Sequence, residues 1–227
     1  MKKDKRGVSN HVEMILASVL FITFFFFVMI FLQPYKNDSL SLSVVDSTYY
    51  VIDDMIKSDV REMFVNIKDS EMECFKLSVS ISGSFNSIVK NGDGEIIESF
   101  VEEDGISIYG GEDFYYLYFS EDFSKGSSSG ECELLEVGQY DVGGSYDREI
   151  VYLPLLLELE NNYNNNYDIL KKDLGIPKKF DFAINSNIVN MQRVVPDGVE
   201  IVAKNYVENV IDENGNISNE IIVVRIW

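Results

Sequence analysis

Histidine is nearly missing from this chain: His11 is the only one, alongside two cysteines, four prolines and one tryptophan. With that histidine close to the N-terminus, the rest of the chain has no imidazole for a Ser-His-Asp or Cys-His mechanism. Two cysteines and one distant histidine also cannot supply the four nitrogen and sulfur ligands of a structural zinc site. No cofactor motif is present, no metal site is expected, and the chain is not read as an enzyme. Positive charge is scarce as well. There are 19 Lys and Arg against 38 Asp and Glu, a net charge of −19. Beyond residue 33 the imbalance is 15 basic to 36 acidic side chains. Such a surface repels phosphates, so nucleic acid is excluded as a partner.

Long apolar runs are also rare, with one exception. Met14 to Leu32 is 19 residues without a charge, and Ser18 and Thr23 are its only polar side chains. As a helix it would extend roughly 28 Å, close to the thickness of a bilayer's hydrocarbon core. This predicts a transmembrane helix over 8–33, retained rather than removed, because no small-residue cleavage site follows it. Lys2, Lys3, Lys5 and Arg6 precede it, which predicts a single-pass membrane protein with a cytoplasmic N-terminus and an extracytoplasmic, cell-surface remainder. His11 reads as an interfacial polar residue.

The segment KKDKRGVS, followed by Glu13 and the apolar run, resembles the class III signal of type IV pilins, most closely that of archaeal pilin-like proteins. The resemblance implies a basic leader, 1–7, removed by a prepilin-type peptidase that cuts between Gly7 and Val8. It also implies a helix that packs with other copies or related pilin-like subunits, with Glu13 taking part in assembly. Glu13 would be the sixth residue of the processed chain, where the family has its glutamate fifth. Its alternative reading is a carboxylate near a helix N-terminus, favoured by the helix dipole.

Beyond the run, Pro34 and the polar residues after it predict a linker over 34–45. The remainder, 46–227, is expected to be an α+β head. Val45, Tyr49, Ile52, Met55, Ile56, Val60, Met63, Phe64 and Ile67 recur at three- and four-residue steps, which predicts a second, amphipathic helix through that stretch. Residues 74–152 read as β. Phe75, Leu77, Val79 and Ile81 alternate with polar residues, and Asn91-Gly92 with Asp93-Gly94 predicts a hairpin turn. One further helix is expected from Pro154 to Gly175. A strand pair at the C-terminus turns at 212–216. There, Val199, Ile201 and Ala203 on one strand and Ile222, Val224 and Ile226 on the other are expected to face the core.

Cys74 and Cys132 suit a disulfide in an oxidising compartment, with two free thiols as the alternative. Asn37 and Asn216 each open an N-glycosylation triplet. The 212–216 turn lacks the glycine and glutamate of a calcium loop, having Ile217 and Val223 at those places. These features predict a pilin-like, membrane-anchored structural subunit of a surface filament or of a secretion or adhesion assembly. The alternative is a non-assembling single-pass protein with a ligand- or surface-binding ectodomain.

Overall fold

In the computed structural model the N-terminal third changes from helix to strand without a loop. The structure describes residues 6–32, 35–68, 72–79, 85–126, 130 and 132–227, with side chains of the first two helices described over 13–29 and from 42 onward. Helix α1 is Arg6–Leu32 and helix α2 is Tyr35–Ile56. Strand β1, Lys57–Ile67, follows at once.

Two expectations are corrected here. Residues 35–45 are not a linker but the first turns of α2, and Val45, Tyr49, Ile52 and Ile56 form its buried stripe. The amphipathic helix then ends at Ile56, where helical periodicity had suggested continuation to Ile67. Val60, Met63, Val65 and Ile67 are buried along a strand instead. The reason is tertiary: β1 has an antiparallel neighbour on each edge. Two hydrogen-bonded ladders outweigh a local helical period.

The membrane reading is also corrected. Among the described residues no helix is long and apolar enough to cross a membrane. The transmembrane segment 8–33, the single-pass topology with its cytoplasmic and cell-surface sides, and the pilin-like membrane placement therefore lack support. The fold is mixed α/β, mostly sheet, with four helices among the described residues.

The strands after β1 are β2 (Phe75–Leu77), β3 (Asn86–Asn91), β4 (Ile96–Ile97), β5 (Ser99–Glu102), β6 (Gly105–Ile108), β7 (Phe114–Ser120), β8 (Glu133–Leu134) and β9 (Tyr140–Tyr152). Two helices follow where one was expected: α3, Leu153–Asn165, and α4, Tyr167–Asp173, parted at Asn166. Pro154 occupies the first turn of α3, where its missing N–H costs nothing. Strands β10 (Phe182–Asn185), β11 (Asn190–Met191), β12 (Val202–Ile211) and β13 (Ile217–Ile226) complete the chain.

A nine-stranded sheet runs β11-β10-β13-β12-β9-β1-β7-β3-β4, and a four-stranded sheet runs β5-β6-β2-β8. Three apolar clusters hold these layers. The first packs α2, α3 and α4 against β10 and β13, with Ile52, Leu156, Tyr163, Phe182 and Val224 at its centre. The second joins the small sheet to β1 and β7 through Phe75, Leu77, Ile106, Tyr115 and Leu117. Strand alternation sends Tyr118 and Ile88 to a third cluster with Tyr152 and Ile211.

The C-terminal pair departs from its expected facing. Ile222, Val224 and Ile226 are buried, while Val199 and Ile201 are exposed. Register explains this: Val202, Lys204 and Tyr206 lie opposite Ile226, Val224 and Ile222. The inner face of β12 is thus largely polar, which hydrophobic alternation could not reveal.

Candidate functional site: an apolar helix surface and an acidic cleft

α1 supplies no buried residue among those described. Phe24, Phe25, Phe26 and Phe27 are consecutive, and their exposures are 65%, 55%, 62% and 57%. Four successive residues step about 100° each and so take in every side of a helix. Exposed apolar side chains thus point to every side of this stretch of the helix. Even the two described hydroxyls are turned inward: Ser18 Oγ donates to Met14 O at 2.8 Å and Thr23 Oγ1 to Val19 O at 2.7 Å. A helix apolar on all sides is stable only when something covers it.

Helix α2 is mounted on β12 by an aromatic and charged ladder. Tyr49 stacks on Tyr206 with ring centroids 3.4 Å apart. The Tyr49 hydroxyl donates to Glu208 Oε1 at 2.5 Å, and that of Tyr206 to Asp46 Oδ1 at 2.8 Å. Lys204 Nζ meets the same Asp46 oxygen at 2.6 Å. These donors, Lys204 first and then Tyr206, hold the Asp46 carboxyl below its ordinary range. Burial and then the carboxylates push both phenols upward.

Where α2 passes into β1, a cleft of about 490 Å³ opens. Asp53, Asp54, Asp59, Glu121, Asp122 and Glu149 line it, with Lys57 as the basic side chain. Lys57 Nζ lies 2.9 Å from Asp53 and 3.5 Å from Glu208. Burial works against its charge, but these carboxylates outweigh that and raise its pKa. The hydroxyls of Ser58 and Ser120 are 2.5 Å apart and bond to each other. Among the described residues no group of histidine, cysteine and carboxylate side chains is arranged to hold a metal ion.

No family model, no curated protein and no solved structure matches this chain.

The residues singled out by sequence are dispersed. Gly7 and Val8 lie within the backbone of α1, with the Val8 side chain outside the described residues. A helical peptide bond must unwind before a peptidase can use it. Glu13 is exposed near the start of the same helix. Asn37 lies in α2, with its side chain outside the described residues.

Cys74 and Cys132 are bonded, with Cα atoms 5.1 Å apart. They sit immediately before β2 and β8, whose parallel pairing begins at Phe75 and Glu133. The bond thus pins a ladder of two short strands. Asn216 lies in the β12–β13 turn, where its amide is engaged on both sides. Nδ2 donates to Asp212 Oδ2 at 2.9 Å, and Oδ1 accepts from Lys90 Nζ at 2.7 Å. The Asn216 triplet gave no hint of Lys90, which is 126 residues away in sequence.

Proposed function

We propose that this protein is a non-catalytic structural subunit that associates with further copies of itself through the bare apolar surface of α1. The observation that carries this reading is the exposure of four consecutive phenylalanines around the full circumference of that helix. Burying apolar surface is worth roughly 25 cal/mol per Å², so several such side chains supply a large driving force. The choice of copies as the covering partner rests on charge. Fifteen basic and 36 acidic side chains beyond residue 33 oppose close approach of two sheet domains. The uncharged 14–32 part of α1 is where identical chains can meet without that cost. The α2–β12 ladder gives the sheet domain a firm mount on the helical part of the chain.

Cysteine crosslinking of the full chain tests the reading. Val19→Cys or Phe26→Cys should give intermolecular disulfide dimers under mild oxidation. Val137→Cys, on a residue 98% exposed in the sheet domain, should not. Equal crosslinking at all three positions would remove α1 as the specific contact.

A further inference from the structure

Three of the best-shielded lysines in this acidic chain are matched with carboxylates. Lys57 sits 2.9 Å from Asp53, Lys76 2.6 Å from Glu102, and Lys171 2.8 Å from Asp181. Lys90 is different. It is only 9% exposed on β3, and its Nζ rests 2.7 Å from the side-chain oxygen of Asn216, a neutral amide. No ion pair to Lys90 is found among the described residues. Acids outnumber bases two to one here, so a shielded lysine facing a carboxamide calls for a chemical reason.

The surroundings supply one. Asp212 is fixed against the same carboxamide: Oδ1 accepts the backbone N–H groups of Asn214 and Asn216, both at 2.8 Å, and Oδ2 accepts from Asn216 Nδ2 at 2.9 Å. Gly215, at φ +70°, lets the turn descend onto β3. A Cβ there would stand 2.9 Å from Ile88 Cγ2 and 3.4 Å from Lys90 Cδ. Ile88, Tyr118, Tyr152 and Ile211 form the apolar cluster nearby. An amine, a carboxamide and a carboxyl group thus converge beside an apolar wall, the pre-positioned geometry in which an intramolecular reaction gains its advantage.

We infer that Lys90 and Asn216 form an intramolecular isopeptide bond. The free amine of Lys90 moves from the amide oxygen onto the adjacent Cγ and adds to it. A new Nζ–Cγ bond forms and the Cγ–Nδ2 bond breaks. The Asp212 carboxylate, already the acceptor of three N–H groups, takes a proton from Nζ and passes it to departing Nδ2, acting as general base and then general acid. One ammonia leaves, and no oxidant or external reactant is needed. The product joins β3 to the β12–β13 turn. In the nine-stranded sheet those elements are separated by β9, β1 and β7, so the bond would clasp the two halves of the sheet covalently. The same reaction consumes Nδ2 of Asn216 and therefore competes with glycosylation there.

Intact-mass spectrometry of the full chain, with peptide mapping, tests this. The wild-type protein should be lighter than its sequence, with the disulfide formed, by one ammonia. Proteolysis should release one branched peptide joining the segments around Lys90 and Asn216. Lys90→Arg, Asn216→Ala and Asp212→Asn should each restore the full mass, with circular dichroism confirming that the sheet persists. Full sequence mass in the wild type would overturn the inference. So would a glycan on Asn216, or an ammonia loss that maps to a succinimide at Asn214-Gly215 with no branched peptide.

Discussion

Tyr49 of α2 lies flat on Tyr206 of β12, with ring centroids 3.4 Å apart and planes 8° from parallel. That contact, with the Tyr49 hydroxyl on Glu208, fastens the helix leading into the domain to a strand near its far end in sequence. Tyr49→Ala removes a nearly buried ring and should lower unfolding free energy by about 3 kcal/mol, the scale of aromatic truncation in a core. Tyr49→Phe keeps the stack and loses one charged hydrogen bond, costing about 1–2 kcal/mol. Urea midpoints of the two variants should fall in that order. Equal midpoints for wild type and Tyr49→Ala would show that the stack contributes nothing.

Gly105 opens β6 where β2 runs beside it. A Cβ at this position would stand 2.0 Å from the backbone oxygen of Leu77. Backbone cannot swing aside as a side chain can, so Gly105→Ala should displace β2 and cost about 3 kcal/mol. At Gly92 a Cβ meets only Phe114 Cβ, at 4.0 Å. Gly92→Ala should change stability by about 0.5 kcal/mol or less. Thermal melts of the pair check the contrast, and similar melting temperatures would contradict it.

Part of the β pattern could be read directly, while Ile81 of the expected first strand lies outside the described residues. The turn after β3 and the C-terminal hairpin followed from asparagine and glycine placement. Gly94 and Gly215 have positive φ there, whereas Gly92 does not. The helix-to-strand change at Ile56 could not be read, because Val60, Met63 and Ile67 satisfy a helical period and the ladders that decide the matter come from residues 114–152. The polar inner face of β12 was hidden for a similar reason: Lys204 and Tyr206 look like solvent-facing residues until α2 brings Asp46 and Tyr49 to them. The long apolar run was visible at once. Its sequence alone did not distinguish a membrane from a protein partner, and no membrane-crossing helix is found among the described residues. Neither the Asn216 triplet nor the 212–216 turn points to Lys90, which only the close descent of the Gly215 turn brings to them.

The Asp181 carboxyl is held below its ordinary range by Lys171 and then Tyr167. Because its folded pKa is depressed, its contribution is present above the unfolded value of about 4 and is lost as pH falls through the folded value. Lys171→Met abolishes the pairing. The stability difference between wild type and this variant should be constant from about pH 7 to pH 5 and should shrink below about pH 4. Comparing the two proteins at each pH cancels the general relief of repulsion in so acidic a chain. A difference that grows on acidification would contradict the assignment. At the other extreme, burial pushes Tyr163 up to about 12. Its contribution is complete below the unfolded value of about 10 and is lost as pH rises from there through the folded value.

The central claim is that the uncharged surface of α1 binds copies of the same chain. Sedimentation velocity on the full chain, wild type beside a Leu20→Glu, Phe24→Glu double variant, tests it most directly. Burying a carboxylate in an apolar contact costs several kcal/mol, so the variant should sediment as a monomer with an unchanged circular dichroism spectrum. The wild type should sediment as a concentration-dependent oligomer. A monomeric wild type, or an oligomer that survives both glutamates, would contradict the account.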